Sequence, residues 1–208
     1  MKVALVLYPG FTALDVVGPF QVLVAAPGVE AVFVAHELGS VADDTALCPL
    51  AATATFAGVP APEVVVVPGS GASLDLDPVV VDWLRSAHAT TSWTTSIGTG
   101  SSYLTAAGVL AGSQATTHWA SPARIGQGGV RWSSMRVVQD GRVITAAGST
   151  AGIDLALTLL GLSHGPAVAQ AVQLTLEYDP QPPYDAGSPA KAPHEITDLV
   201  RSYYARRG

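Results

Sequence analysis

The sequence predicts an α/β protein with a mainly parallel sheet and helices on both faces. Three observations support this. Short strand-like runs alternate with longer helix-like segments, several of the strand-like runs are continuously apolar, and turns rich in Gly and Pro separate them. Continuously apolar strands are typical of a sheet that is covered on both faces. Alternation of strands with helices favours parallel pairing through helical crossovers.

The predicted elements follow one another in a regular order. Strands are predicted at residues 3–7, 31–35, 63–67 and 92–97, followed by a hairpin whose strands, 136–138 and 142–146, flank the turn Gln139-Asp140-Gly141. Helices are predicted at 14–25, from Pro78 onward, from the glycines at 98–100 to Gly108, at 153–160, and at the end of the chain, where Ile196, Leu199, Val200 and Tyr203 recur at helical spacing. Thr12 and Thr150 stand where helix N-caps are expected.

The composition restricts the functions open to this 208-residue chain. Charged residues make up 12% and apolar residues 49%, which excludes a disordered chain. The single cysteine, Cys48, excludes a disulfide framework and an all-thiolate zinc site, and we expect it to be a small buried residue. A net charge of −6 without a basic block argues against nucleic-acid binding. The length and the even composition predict one domain over residues 1–208.

One uncharged stretch, residues 155–176, has nearly the length of a membrane-spanning helix. Helix-breaking residues between Gly161 and Pro166 interrupt it, so it predicts two buried helices of a soluble protein. The apolar run at the N-terminus is too short for a signal peptide. We therefore expect a cytoplasmic protein that does not contact a membrane.

Ligands of open α/β sheets bind beyond the carboxyl ends of the strands. Three loops occupy such positions: Tyr8-Pro9-Gly10, Pro68-Gly69-Ser70-Gly71 and Gly98-Thr99-Gly100. The third is a sharp strand-to-helix turn made of small residues, and such a turn lets the backbone and a helix N-terminus approach a ligand closely. The five histidines lack metal-ligand spacing and no phosphate-binding Gly-x-x-x-x-Gly-Lys motif is present, so neither a metal nor a cofactor is expected.

Six segments together resemble the ThiJ/PfpI superfamily, the class I glutamine amidotransferase-like fold, and within it the isocyanide (isonitrile) hydratases. They are LDVVGPF at 14–20, VPGSG at 67–71, SIGTG at 96–100, ATTHW at 115–119, TAGID at 150–154 and LEYDPQPP at 176–183. These segments span nearly the whole chain in the order that the family has. The resemblance implies a three-layer, flavodoxin-like sandwich.

The resemblance also identifies the strand-to-helix turn as the site of a missing nucleophile. In the hydratases this turn carries the nucleophilic cysteine, in a pattern such as Val-Cys-Thr-Gly, and the corresponding residue here is Gly98. Glycine has no side chain with which to attack an isocyanide carbon. The resemblance therefore implies that the covalent mechanism of the family does not operate in this chain.

Asp15 is the acidic residue to which the resemblance assigns a role. From its position alone, near the start of a predicted helix, a structural carboxylate bonded to loop amides is the more typical interpretation. The resemblance implies instead that Asp15 faces residue 98 and moves protons. Its apolar neighbours, such as Val16 and Phe20, should partly desolvate the carboxyl group and raise its pKa.

The other candidate site residues are polar or aromatic groups in the matching segments. Thr99 stands beside the missing nucleophile, and its hydroxyl and backbone N–H could hold a substrate or a water molecule. The remaining candidates for substrate binding are the backbone donors Gly69, Ser70 and Gly71 and the side chains of His118 and Trp119.

Three hypotheses on function stay open. The first, which we favour, is an enzyme without the elbow thiol that uses Asp15 as general acid–base in a hydration, isomerisation, elimination or cyclisation. The second is an isocyanide hydratase whose cysteine has been replaced at Gly98. The third is a non-catalytic ligand-binding or regulatory protein, although a chain that ends at Gly208 leaves no room for a helix-turn-helix domain.

The substrate and the assembly are predicted only in outline. The segments near the inferred pocket carry few charges, so we expect a small, mostly apolar substrate that is uncharged or weakly polar. Members of the superfamily usually form homodimers, and the apolar side of the last helix offers a surface for one. We therefore expect a homodimer.

Overall fold

The computed structural model describes residues 1–71, 75–126 and 128–205. Strands and helices alternate in part, but β2 to β6 follow one another without a helix and the last three elements are all helices. In order, the elements are β1 (Lys2–Val6), α1 (Ala13–Val24), β2 (Glu30–Ala35), β3 (Gly39–Val41), β4 (Leu50–Ala52), β5 (Ala54–Thr55), β6 (Val64–Val67), α2 (Pro78–His88), β7 (Trp93–Ile97), a 3₁₀ turn (Gly98–Gly100), α3 (Ser101–Ala106), β8 (Gln114–Ala115), α4 (Ala123–Gly126), β9 (Arg131–Trp132), β10 (Val137–Asp140), β11 (Val143–Ala146), α5 (Ala151–His164), α6 (Pro166–Thr175) and α7 (His194–Ala205).

Within the described residues, seven of these strands form one sheet in the order β10-β11-β7-β6-β1-β2-β5. All pairs in it are parallel except the hairpin β10–β11, which is antiparallel. The register brings strand ends together, since Val67 pairs with Ser96 and Ile97 pairs with Ala146. The loops that follow β6, β7 and β11 therefore lie side by side at one edge of the sheet.

The central strands form the core of the protein. The four valines of β6 are fully buried, as the continuous apolar run predicts. On one face, α1 packs against α5 at two glycines: a Cβ at Gly18 would lie 3.3 Å from Ile153, and one at Gly152 would lie 3.1 Å from Pro19. These small residues let the two helices approach closely. Their contact places the start of α1 near the loops that follow β6, β7 and β11. The prediction of a mainly parallel α/β sandwich is confirmed.

Several boundaries differ from the predictions. The helix predicted at 153–160 begins at Ala151 and continues to His164, and the helix predicted to reach Gly108 is a 3₁₀ turn followed by the six-residue α3. The hairpin is confirmed with a tighter turn, since Asp140 pairs directly with Val143. The strands β3, β5, β8 and β9 were not predicted, because each has only two or three residues and shows no hydrophobic period.

Three details of burial and capping were predicted wrongly. Cys48 is exposed rather than buried, because it lies in a polar surface loop held by Asp43. In α6 only Val172 is buried, so this helix contributes one residue to the core, packs against it with Val168 and Ala169 and is otherwise exposed or partly exposed. Thr12 and Thr150 occupy N-cap positions, but neither hydroxyl caps its helix.

Two further predictions concern membranes and domains. Among the helices described above, none combines the length and the apolar character that a membrane-spanning segment needs. The organisation of residues 1–208 as one domain stays a prediction.

Candidate active site

The turn after β7 is held in a conformation that suits glycine. Gly98 has a φ of +53°, a left-handed value that costs a residue with a side chain roughly 1–2 kcal/mol. Gly100 allows a still closer approach, since a Cβ there would overlap the carbonyl oxygen of Val67 and lie 2.6 Å from that of Pro68. The backbone after β7 therefore packs directly on the backbone after β6.

Side-chain hydroxyl groups fix this turn further. Ser101 and Thr117 both donate hydrogen bonds to the carbonyl oxygen of Gly98, at 3.0 and 3.1 Å. Thr99 ties the turn to the neighbouring loop, because its Oγ1 accepts a hydrogen bond from the Ser70 N–H at 2.9 Å and donates one to the Ser70 carbonyl oxygen at 3.1 Å. The loops after β6 and β7 thus form one rigid unit.

Asp15 lies under this unit, in the first turn of α1. Its side chain is 2% exposed, and Oδ2 accepts a hydrogen bond from the Gly69 N–H at 2.8 Å. The other oxygen, Oδ1, has no hydrogen-bond partner of regular geometry among the described residues. A Cβ at Gly98 would lie 3.5 Å from Asp15 Oδ2, so the carboxyl group faces position 98 directly.

The protonation of Asp15 is shifted by this environment. Burial raises its pKa from 3.8 to about 6, against the opposite influence of the nearby Ser149 hydroxyl and the Gly69 N–H, while the charge of Asp44 raises it slightly further. The predicted desolvation of Asp15 is thus confirmed. A carboxyl group with this pKa exists in both its protonated and its ionised form near neutral pH, as a general acid or base requires.

Asp44 is a pocket residue that the sequence analysis missed. Its Oδ2 accepts hydrogen bonds from the Thr12 hydroxyl at 2.8 Å and from the Gly71 N–H at 2.9 Å. The carboxylate therefore joins the start of α1 to the loop after β6. No motif indicates it, because Asp44 lies in an irregular loop between β3 and β4.

A pocket of about 760 Å³ opens above Asp15 and Gly98. The eight predicted site residues line it: Asp15, Gly69, Ser70, Gly71, Gly98, Thr99, His118 and Trp119. The expected role of three of them is not met, because the N–H groups of Gly69, Ser70 and Gly71 donate to Asp15, Thr99 and Asp44 and not to open space in the pocket. The structure adds Ser149, which follows β11 and could have been predicted from the same rule on strand ends. It also adds residues that no local pattern indicates: Thr12, Asp44, Thr45, Arg124, Arg201, Tyr203 and Tyr204.

The outer wall of the pocket is built from aromatic contacts. The rings of His118 and Tyr204 lie 4.9 Å apart between centroids, and the Arg201 guanidinium stands 5.8 Å from the centroid of Trp119. These contacts dock α7 against the loop that follows β8. The Ala120 N–H donates to His118 Nδ1 at 3.3 Å, which leaves the proton on Nε2, and burial lowers the pKa of this ring, so His118 is neutral at pH 7.

The charges in the pocket contradict one expectation. The sequence segments near the site suggested few charges, yet Asp44, Arg124 and Arg201 line the pocket together with Asp15. Two of these residues come from α4 and α7, which fold over the site from distant parts of the chain. No group of side chains within the described ranges is arranged to hold a metal ion.

Comparison with known proteins settles the family. Residues 1–162 match the DJ-1/PfpI family. This chain belongs to that family. The predicted resemblance to the ThiJ/PfpI proteins is therefore confirmed, and the strand-to-helix turn at Gly98 is part of a DJ-1/PfpI domain.

Two relatives are similar to this chain in sequence. The DJ-1/PfpI chain is 41% identical over 203 residues to an isonitrile hydratase of Pseudomonas putida, which covers 97% of this chain and 89% of the relative. It is 38% identical over 100 residues to the HTH-type transcriptional regulator CdhR of Pseudomonas aeruginosa, a match that covers 46% of this chain and 29% of the regulator.

Solved structures agree with this result. A ThiJ/PfpI family protein from Pseudomonas syringae superposes with a TM-score of 0.92 at 33% identity, over 99% of this chain and 86% of that one. Drosophila melanogaster DJ-1β superposes with a TM-score of 0.76 at 21% identity, over 85% of this chain and 97% of that one, and supports the fold alone. The flavodoxin-like sandwich predicted for this DJ-1/PfpI protein is confirmed.

Proposed function

We propose that this protein is an enzyme that transforms a small organic molecule with Asp15 as its general acid–base and without an elbow thiol. The observation that carries the proposal is the buried Asp15 carboxyl group, with one oxygen lacking a regular hydrogen bond, facing the bare backbone of Gly98 at the inner end of the pocket. The 41% identity to an isonitrile hydratase supports an enzyme of hydratase or lyase type.

The two carboxyl oxygens of Asp15 have different roles in this proposal, because their contacts differ. The Gly69 N–H holds Oδ2, which fixes the orientation of the group. Oδ1 has no hydrogen bond of regular geometry among the described residues, although the Ser149 hydroxyl lies near the carboxyl group, and it can exchange a proton with a bound molecule or water. Gly98 has no side chain, and among the described residues other than its two chain neighbours only Asp15 Oδ2 lies within 4 Å of where its Cβ would be. A reacting atom can therefore come close to the carboxyl group.

The reactions that fit this arrangement are hydration, isomerisation, elimination and cyclisation. Each requires a proton to be delivered to or removed from the bound molecule, and one carboxyl group can do both in turn. A positioned acid–base group contributes roughly 10²–10⁴-fold to the rate of such a step. Placement of the molecule against the loops of Gly69 and Thr99 would supply much of the remainder.

The proposal is tested by replacing the carboxyl group. Purified protein is incubated with a set of small molecules that includes alkyl and aryl isocyanides, and products are identified by mass spectrometry. We expect Asp15→Asn to lower the rate of the reaction found by about 100-fold or more, with circular dichroism unchanged. The control is Asp82→Asn, which removes an exposed carboxylate on α2, outside the pocket.

The pH profile gives a second measurement on the same reaction. If Asp15 acts as a base, kcat/KM rises with pH through about 6, and if it acts as an acid, kcat/KM falls there, because the midpoint of this profile reports the pKa of the carboxyl group in the free enzyme. Full activity of Asp15→Asn, or a profile that is flat between pH 5 and 7, contradicts the proposal. Tight binding without any product would point to the third hypothesis, a ligand-binding protein.

A second candidate function is supported by the space at position 98. A Cβ added to Gly98 would stand 3.5 Å from Asp15 Oδ2, which is an ordinary contact distance, and this space would let a cysteine occupy the turn, as the resemblance to isocyanide hydratases implies. Its thiolate would attack the isocyanide carbon, which would take up a proton to give a thioimidate. Addition of water and departure of the thiol would then release the N-formamide. In this case the chain is a hydratase whose nucleophile is missing.

The substitution Gly98→Cys tests this candidate. We expect conversion of an isocyanide to its N-formamide by Gly98→Cys and none by Gly98→Ser, which has the same backbone strain but a weaker nucleophile. If Gly98→Cys folds and yields no formamide, the second candidate is wrong. The homodimer and the cytoplasmic location stay predictions, which gel filtration and cell fractionation would check.

A further inference from the structure

We infer that the molecule bound in this pocket is a small organic anion, whose carboxylate or phosphate group is held by Arg124 and Arg201 at the outer rim while its reacting end lies at Asp15. This inference rests on the proposed function, because it names the substrate class of the same site. It replaces the expectation of an uncharged substrate, which was based on sequence segments that contain neither arginine.

Arg124 is the first observation. It lies on α4, lines the pocket and has an exposed side chain. In the part of the chain that the structure describes, no carboxylate lies within 4 Å of its guanidinium and no side-chain hydrogen bond engages it. By contrast, Arg85, Arg136 and Lys191 each form an ion pair. Arg124 thus presents its donors to the pocket, with no side-chain acceptor among residues 1–71, 75–126 and 128–205.

Arg201 is held at the same rim by a different contact. Its guanidinium stands 5.8 Å from the centroid of the Trp119 ring, which orients the group towards the pocket that both residues line. Its ion pair with Asp198 is an exposed one within α7, at 3.2 Å from one nitrogen, and exposed pairs of this kind contribute little. A guanidinium has five N–H donors in a fork that matches carboxylate and phosphate, so most of them stay free for a ligand.

The acidic groups of the pocket are less accessible than the two arginines. Asp15 is 2% exposed beneath the turn at Gly98, and Asp44 is occupied by the Thr12 hydroxyl and the Gly71 N–H. The pocket therefore combines one buried carboxyl group at Asp15 and a half-buried one at Asp44 with two exposed arginines on α4 and α7. An anion can enter in one orientation, with the charged end outward, because the reverse orientation would bring two negative charges together in a buried space.

The walls between these ends suit an apolar body. The rings of His118, Trp119 and Tyr204 line the pocket and form a continuous aromatic surface beside the arginines. An organic anion with an aromatic or aliphatic body would place that body against these rings and its charged group beyond them. The charge at the rim and the apolar wall thus define one class of ligand.

Isothermal titration calorimetry with matched ligands tests the inference. The probes are benzoate and phenylacetate, their uncharged amides benzamide and phenylacetamide, and phenyl phosphate as the phosphate counterpart. We expect at least one anion to bind about tenfold or more tightly than its neutral analogue. Arg124→Gln and Arg201→Gln should each weaken that anion several-fold, whereas Arg85→Gln, which removes an arginine from the ion pair on α2, should leave binding unchanged.

The outcomes separate this inference from the proposed function. Equal binding of acid and amide, absence of binding by every anion, or undiminished affinity in both arginine variants overturns it. Arg201→Lys keeps the charge without the fork and shows whether loss in Arg201→Gln reflects recognition or an undocked α7, which the thermal midpoint reports separately. Asp15→Asn should keep the preference for the anion, so a failure of the catalytic proposal leaves this result intact.

Discussion

The inner and outer walls of the pocket are built by different physical means. At the inner wall, backbone packs on backbone: a Cβ at Gly100 would overlap the carbonyl oxygen of Val67, and one at Gly69 would lie 2.8 Å from the Thr99 nitrogen. At the outer wall, α7 rests on ring contacts of about 5 Å between side chains such as His118 and Tyr204. The difference teaches that residues of the inner wall, where we propose the reaction occurs, cannot change without destabilising the fold. Residues of the outer wall, which we propose determine specificity, can change without affecting the fold.

The largest loss of stability is expected from a substitution at the inner wall. Gly100→Ala places a methyl group in overlap with the carbonyl oxygen of Val67 and 2.6 Å from that of Pro68, and neither oxygen can move without displacing the end of β6. We expect the free energy of unfolding to fall by about 3 kcal/mol or more, measured by urea denaturation.

The matched control for this prediction is Gly187→Ala. A Cβ at Gly187 has nothing within 4 Å in the described part of the chain, and its φ is not in the left-handed range. The substitution should therefore change the free energy of unfolding by less than about 1 kcal/mol. If Gly100→Ala were as stable as Gly187→Ala, the inner wall would be able to adjust, and the contrast between the two walls would be wrong.

The second, smaller change in stability is expected from replacing Asp15, a substitution that should lower activity and yet stabilise the fold. The pKa of this group is 3.8 when it is unperturbed and about 6 in the folded protein. Between these values the folded state keeps the proton that the unfolded state releases, so the stability of the protein falls as pH rises from about 4 to above 6. Asp15→Asn removes the ionisable group, and we expect it to be more stable than the unsubstituted protein at pH 8, by up to about 3 kcal/mol.

The measurement for this prediction is a series of urea denaturation curves from pH 4 to pH 8. The stability advantage of Asp15→Asn should be small at pH 4 and should grow towards pH 8, while Asp82→Asn, an exposed carboxylate on α2, should show no such growth. An advantage that does not depend on pH would mean that Asp15 is not desolvated as its burial indicates. The Asp15 carboxyl group would then not destabilise the fold.

The same contrast explains which features the sequence could predict. The inner wall was predictable because its residues follow consecutive strands, whose carboxyl ends meet at one edge of a parallel sheet. Gly69, Gly98 and Thr99 all come from such loops, and Asp15 was identified through the resemblance and then placed beside them by the packing of α1 on α5.

The outer wall was not predictable, because it depends on contacts between residues far apart in the chain. Arg201 and Tyr204 reach the pocket only when α7 docks against the loop of His118 and Trp119, and no periodicity encodes that docking. The apolar pattern of α7 instead suggested a surface for a second copy of the chain. Cys48 shows the same limit, since its polar surroundings arise from the fold of a loop and not from its neighbours in sequence.

The smallest loss of stability is expected from a substitution at the outer wall. Tyr204→Leu removes the ring that packs 4.9 Å from His118 and leaves the backbone of α7 unchanged. Such an aromatic contact contributes roughly 0.5–1.5 kcal/mol, so global stability should change by no more than that. Local opening of α7 should become more frequent, and we expect its amides to exchange with deuterium about fivefold faster than in the unsubstituted protein.

Hydrogen exchange followed by mass spectrometry checks this expectation against Tyr184→Leu, whose ring is 81% exposed and should leave α7 unaffected. Peptides from β6 and β7 serve as the internal reference, because the inner wall should exchange at the same rate in both variants. Unchanged exchange in α7 of Tyr204→Leu would mean that the helix is held by more than its ring contacts. The outer wall would then be as firmly built as the inner one, and specificity could not vary there independently of the fold.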